Sequence, residues 1–293
     1  MKKFKANVAI SIDGGGLRGA IIAKALTDVE SFLGKKFCDI CTLFVGTSTG
    51  SIISTALYMN FTAETIYNLY IKMGKIIFPK SLRSILWPIF TYRYSNKNLI
   101  KELKLNFNEA KFSNPLMKKN LVIVIRDLVE NRSRFIKNYK KKYSAWKIWK
   151  VVTSSCTVPT YFPVFEGRYV DGGFGSYSNP VYIAAYEIKN CLKWDLSKTT
   201  LISIGSGRTS DKLNPYQANK FISFGWIKPM LDTFLDCAND EQVKIVKDNF
   251  PGLDFRRFQI DIPNIEMDDP SKMDFMKKYG EELGKKILHD KWE

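Results

Sequence analysis

Ser48 sits in Gly46-Thr47-Ser48-Thr49-Gly50, Asp171 opens Asp171-Gly172-Gly173, and Asp13 leads into Gly14-Gly15-Gly16-Leu17-Arg18-Gly19. The first is the pattern of a nucleophile elbow. Between a buried strand and a helix, Gly-x-Ser-x-Gly forces a turn so tight that the serine hydroxyl projects above a sheet. A serine hydroxyl attacks a carbonyl only when a neighbouring base takes its proton, and that base is commonly an imidazole. Here the chain offers one histidine, His289, four positions before its end. The base for Ser48 must then be sought among carboxylates, and a carboxylate within hydrogen-bond reach can take the proton and later return it to the leaving group. Asp171 is the first candidate. Asp13 competes, although its position at the head of the glycine loop suits it better to holding that loop's backbone.

The loop itself, at the end of a strand, can turn several amide hydrogens toward the start of the next helix, a place that favours negative charge. As a nucleotide loop it fails, because no Gly-Lys-Ser/Thr follows and Gly14, Gly16 and Gly19 match Gly-x-Gly-x-x-Gly without an acidic partner on a second strand. As an oxyanion hole it makes better sense: a carbonyl turning tetrahedral develops an O⁻ that needs preorganised donors, each worth on the order of 3 kcal/mol. Gly14, Gly15 and Gly16 would supply those amides, and Arg18 would add charge or pin the loop. The alternative is a tight structural turn.

These residues need a sheet and helices to hold them. Ala6 to Ile12 reads as a buried strand ending at the glycines, and Ile21, Ile22, Ala25, Leu26, Val29, Phe32 and Leu33 recur at helical spacing until Gly34. The unit repeats, with a strand over Ile40 to Val45, the elbow, and a helix from Ser51. Strand, turn, helix, twice, predicts βαβ units and a largely parallel sheet. Later strands are expected at Leu121 to Ile125 and Leu201 to Ile204, a helix from Pro180 with Asn179 as its N-cap, and a final helix within Met267 to Trp292.

With 293 residues and 45% hydrophobic content, the chain can bury the core of one α/β domain. Lys+Arg 45 against Asp+Glu 29 gives a net charge of +16, which attracts polyanions: anionic lipid surfaces or nucleic acid. Met1 to Lys5 runs straight into the first strand with no apolar signal-peptide core, and five cysteines, an odd number, suggest a reducing compartment. Cytoplasmic residence with peripheral membrane association is the expectation, and secretion without a signal peptide is compatible with it. Cys38 and Cys41 have half-metal-site spacing but no second Cys/His pair completes a zinc site, so they read as small apolar residues at the start of a buried strand.

No stretch reaches the ~20 apolar residues of a membrane-spanning helix. Tyr70 to Asn120 is the least regular region and reads as a cap or lid at about 70–120 within a single domain spanning 1–293. Inside it, Arg83, Trp87 and Phe90 combine apolar and basic character suited to a membrane interface, although core packing explains the apolar residues equally well. Lys140-Lys141-Lys142 with Trp146 and Trp149 resembles a nucleic-acid stripe, but the two tryptophans lie three apart at the start of an expected helix and read as packed on one face.

The three glycine motifs, in this order and rough spacing, resemble those of the patatin-like phospholipases. Ser154 to Pro163 is similar to that family's small-residue, proline and aromatic stretch before Asp-Gly-Gly, and Ile202 to Gly207 to a later core strand. The resemblance covers about residues 6 to 60 and 145 to 210. It implies a three-layer α/β/α fold with a central, mostly parallel sheet, a Ser48–Asp171 dyad, oxyanion amides from Gly14, Gly15 and Gly16, and hydrolysis of phospholipid or lysophospholipid acyl esters without metal or cofactor. Ser51 departs from it, standing where a further glycine is common, and the run from Asp171 to Pro180 is slightly longer than usual. Acyl transfer to an alcohol would use the same residues. Bacterial proteins resembling this family include effectors delivered into host cells and antiphage enzymes switched on by cyclic nucleotides, so an oligomer or small-molecule activator fits the resemblance. A different class, a polyanion-binding module on an inactive hydrolase fold, would bind nucleic acid with steep salt dependence and be indifferent to Ser48.

Overall fold

In a computed structural model, which describes residues 1–81, 84, 91–112, 118–209, 214–221, 223–226 and 240–291, one seven-stranded sheet carries the chain. β1 (Asn7–Ile12), β2 (Leu43–Thr47), β3 (Asn120–Asp127), β4 (Arg132–Lys137), β5 (Tyr169–Asp171), β6 (Thr199–Ile204) and β8 (Asp254–Phe258) form it, and β7 (Arg208–Thr209) pairs with β9 (Asp261–Ile262) beside it. The main order is β4-β3-β2-β1-β6-β8, parallel throughout except that β4 and β5 run antiparallel to β3.

Alternation along the strands divides the core into two layers. Ile10, Ile12, Phe44, Leu121, Ile123 and Ile202 point to one face. Against it pack α1 (Gly19–Leu33), α3 (Thr49–Tyr58), α4 (Ala63–Ile77), α5 (Lys97–Phe107), α6 (Ile148–Cys156) and α8 (Met273–Leu288). Ala9, Leu43, Val45, Val122 and Leu201 point to the other, covered by α7 (Val181–Tyr186) and the helical residues 240–249. The result is the three-layer α/β/α arrangement that the resemblance implies, built on the largely parallel sheet that the repeated strand, turn, helix pattern predicts.

Several elements fall where the sequence places them. α1 spans the predicted residues and stops at Gly34, whose φ of 60° continues no helix. Others are displaced. The second strand begins at Leu43, because Phe37–Ile40 closes a single helical turn, α2; Cys38 lies in that turn and Cys41 just after it, both buried. Asn179 Oδ1 accepts the Val181 amide at 3.0 Å, but the helix starts at Val181, so Pro180 and not Asn179 stands at its N-cap. Trp146 precedes α6 and Trp149 lies within it, both half-buried against the core.

The stretch read as an irregular cap takes in the second half of one amphipathic helix and the whole of another. α4 buries Ile66, Tyr70, Met73 and Ile77, spaced three or four apart, and its N-cap Thr62 accepts the Thr65 amide at 3.1 Å. α5 buries Leu99, Leu103 and Phe107 in the same rhythm. Lysines and aromatics between these positions obscured a period of 3.6. Among the described residues no helix is long and apolar enough to cross a membrane.

Candidate active site

Strand register brings two of the singled-out side chains together. β2 ends with Thr47 opposite Val124 of β3, and β5 approaches along the same flank of β3 from the other direction, ending with Asp171 opposite Ile125. Ser48 leaves the top of one strand where Asp171 closes the other.

Ser48 has φ 54° and ψ −128°, a backbone conformation that costs a side-chain-bearing residue of order 1–3 kcal/mol and persists only where its surroundings enforce it. The enforcement is visible. The Ser48 amide donates to Ser155 Oγ at 2.9 Å, and that hydroxyl donates to the Val124 carbonyl at 2.7 Å. The Ser48 carbonyl accepts from the Ser51 amide at 2.8 Å, from Ser51 Oγ at 2.6 Å and from Cys156 Sγ at 3.1 Å. Ser51, the departure from the family pattern, therefore ties down the elbow with its hydroxyl. Gly50 is dictated by proximity, since a Cβ there would stand 2.1 Å from the Ile12 carbonyl oxygen.

Asp171 is 3% exposed. Its Oδ1 accepts the Gly173 amide at 2.7 Å, whereas Oδ2 has no hydrogen-bond partner of good geometry among the described residues. Burial pushes the carboxyl from 3.8 up to about 7, against the opposing pull of the Ser48 hydroxyl and the Gly173 amide. A carboxyl with that pKa is a far stronger base than an exposed aspartate and still half ionised near neutrality.

The glycine loop lies against the elbow: a Cβ on Gly14 would come within 3.2 Å of Ser48 Cβ. Its three glycines are not equivalent. The Gly14 amide donates to the Ser178 carbonyl at 2.8 Å, and the Gly14 carbonyl accepts from Ser206 Oγ at 2.6 Å. The Gly15 and Gly16 amides form no hydrogen bond among the described residues. Gly15 (φ 150°) and Gly16 (φ 58°) adopt backbone angles that suit glycine. Arg18 is buried, and its Nε lies 3.6 Å from where a Gly15 Cβ would be, so the side chain folds back along the loop.

Asp13 stays out of the Ser48 contacts. Its carboxylate receives two hydrogen bonds from the Arg257 guanidinium, at 3.0 and 2.6 Å, and Arg257 also donates to Ser203 Oγ at 2.8 Å. Both partners are 2% exposed, so Asp13 fixes the head of the loop to β8 as its position in the sequence suggested.

A pocket opens beside Ser48 on the face covered by α3, α4 and α5; Gly16 and Thr49 line its head, and Ile52, Met73, Ile77 and Phe162 its wall. Tyr70 from α4 bonds both the Thr49 hydroxyl and, at 3.1 Å, the Thr49 carbonyl, joining this wall to the first turn after the elbow. Sequence reading did not find Tyr70, Ser155, Ser178 or Arg257, because their relation to the motifs is made by the fold alone. Arg83, Trp87 and Phe90, singled out for a membrane interface, lie outside the described residues.

The family model for patatin-like phospholipase matches residues 10–185, more than half of the chain and all of the elbow and the Asp171 turn. The chain belongs to the patatin-like phospholipase family. Patatin-like protein 2 of Oryza sativa subsp. indica is 25% identical over 297 residues, covering 82% of this chain and 72% of that protein. The intracellular phospholipase A2 of Caenorhabditis elegans is 28% identical over 232 residues, covering 76% of this chain and 20% of that much longer one. Among solved structures, VipD from Legionella pneumophila has a TM-score of 0.49 at 14% identity, covering 98% of this chain and 67% of VipD. In the patatin-like frame the elbow, the Asp171 turn and an apolar pocket stand at one end of a mostly parallel sheet, the carboxyl end where open α/β sheets take their ligands.

Proposed function

We propose that the protein is a lipid acyl hydrolase of the phospholipase A or lysophospholipase type, with Ser48 as nucleophile and Asp171 as general base. The observation that carries this reading is the meeting of a strained serine and a buried carboxyl of pKa about 7 at the ends of β2 and β5, beside an apolar pocket. The names of relatives, phospholipase A2 among them, agree with it.

In this reading an acyl chain lies along Ile52, Met73 and Ile77 with its ester carbonyl over Ser48. Asp171 removes the hydroxyl proton as Ser48 Oγ attacks. The oxyanion is received by the Gly15 and Gly16 amides, since the Gly14 amide is already given to Ser178. Asp171 returns the proton to the leaving glycerol oxygen, and the C–O bond breaks. Water, deprotonated by the same carboxylate, then attacks the acyl-serine and frees the fatty acid. The substrate is a phospholipid or lysophospholipid met at a membrane surface, where the basic net charge assists docking.

The test is fatty-acid release from phosphatidylcholine vesicles, with product identification to separate hydrolysis from acyl transfer. Ser48→Ala and Asp171→Asn should each lose about 10³-fold or more in kcat. Equal release by wild type and both variants would remove the assignment.

A further inference from the structure

β5 is three residues long and is followed at once by the glycine-rich turn Gly172–Gly175, so little in its own length fixes where Asp171 stops. A strand that slips by one residue turns every side chain to the opposite face, and glycine-rich segments specify their register weakly. For this strand a slip would carry the Asp171 carboxyl away from the elbow.

A cluster outside the pocket addresses that weakness. Asp127, the last residue of β3, pairs in register with Tyr169, the first of β5, and its side chain is fully buried. Arg168, immediately before β5, donates from Nε to both Asp127 carboxylate oxygens at 3.0 Å and from Nη2 to Oδ2 at 2.8 Å. The Arg168 carbonyl accepts the Leu128 amide at 2.9 Å, closing a ring of contacts around the residue that precedes the strand. Asp127 also accepts the amides of Val129 and Glu130, each at 3.1 Å, and Arg134 Nε at 2.5 Å, which fixes the carboxylate to the β3–β4 hairpin. Burying a charge pair of this kind seldom adds net stability, since desolvation offsets the attraction, but it does discriminate between registers. A slipped β5 would leave the Asp127 carboxylate with Arg134 alone and short of the Arg168 guanidinium.

We infer that Asp127 and Arg168 are positioning residues that lock the register of β5 and thereby hold the Asp171 carboxyl at the Ser48 hydroxyl. The inference rests on the proposed roles of Ser48 and Asp171, though the lock itself is a statement about geometry. The groups that face Asp171 are the Ser48 hydroxyl, the Gly173 amide and the Cys156 thiol; those that face Asp127 are Arg134, Arg168 and the nearby Glu130.

The experiment compares wild type with Arg168→Met, Arg168→Lys and Asp127→Asn. Arg168 is a third exposed, so its variants fold even where Asp127→Asn does not. On a soluble short-chain ester, Arg168→Met should lower kcat about 100-fold, the scale of an ångström-sized misplacement, with KM changed less than about threefold. Arg168→Lys should recover part of that loss. Titration of the Asp171 carboxyl by ¹³C NMR in a Ser48→Ala background reads the lock whether or not the wild type is an esterase. The midpoint in that background stands above the wild-type value, because the Ser48 hydroxyl no longer lowers it, and it should fall by at least ~1 unit when Arg168→Met is added, as the carboxyl gains water. An unchanged Asp171 midpoint in folded Arg168→Met would overturn the inference. An inactive wild type whose midpoint still moves would instead sink the proposed hydrolysis and leave the lock standing.

Discussion

The Ser48 amide donates to the hydroxyl of Ser155, and the same hydroxyl donates onward to the Val124 carbonyl, so one side chain on α6 holds both the elbow and the strand beside it. Ser155→Ala leaves a buried N–H and a buried C=O without this partner, which should cost about 2 kcal/mol in urea unfolding. It should also lower kcat several-fold with KM little changed, since the acyl pocket is untouched. Loss of stability without loss of kcat would mean that the elbow keeps its shape unaided.

Asp171 predicts the pH dependence. As the proposed general base it must be ionised, so kcat/KM should rise tenfold per pH unit below about 7 and level off above it. Stability runs the other way. Between the unfolded value near 3.8 and the folded value near 7 the native state retains a proton that the unfolded chain has released, so native stability falls as pH rises and flattens above 7. Asp171→Asn should therefore be inactive yet more stable than wild type at pH 8, by roughly 2–4 kcal/mol, with the difference vanishing near pH 4. Equal unfolding midpoints at pH 8 would show that the carboxylate is better solvated than its burial implies.

Breaking the Asp13–Arg257 pair strands a charge in the interior. Arg257→Met should cost about 3–5 kcal/mol, while Asp13→Asn with Arg257→Met should recover much of that because no lone charge remains. Chemical denaturation of the two variants checks the order; a double variant less stable than the single one contradicts it.

The pocket wall sets acyl-chain length in the proposed reaction. Met73→Trp fills part of the pocket and should cut kcat/KM for a long-chain ester by about 10–100-fold against a butyryl ester. Parallel rate measurements on the two esters decide it, and an equal loss on both would place the chain elsewhere.

How much of this was legible beforehand depends on distance along the chain. β1, α1, the elbow and the glycine loop are local patterns, an apolar run closed by glycines or a period of 3.6 closed by Gly34, and the fold leaves them nearly where they were read. β4 was missed because Arg132-Ser133-Arg134-Phe135-Ile136-Lys137 is a polar edge with weak alternation. β8 was missed because Arg256 and Arg257 contradict a buried strand until their carboxylates are known. Ser48 and Asp171 stood out through motif residues alone. Ser155 lies more than a hundred residues from Ser48, and Ser178 and Ser206 further still from Gly14, and no spacing rule announces such contacts.

His289 closes α8, whose first residue, Met273, reaches toward Gly74 at the pocket side. Sixteen helical residues separate the imidazole from that end by about 24 Å, and its neighbour Asp290 pairs with the amino terminus instead. An imidazole base needs a third side chain to choose which nitrogen carries the proton and to keep the ring from turning. A carboxyl group has no tautomers, so with the ring out of reach the duty of aiming passes to the main chain.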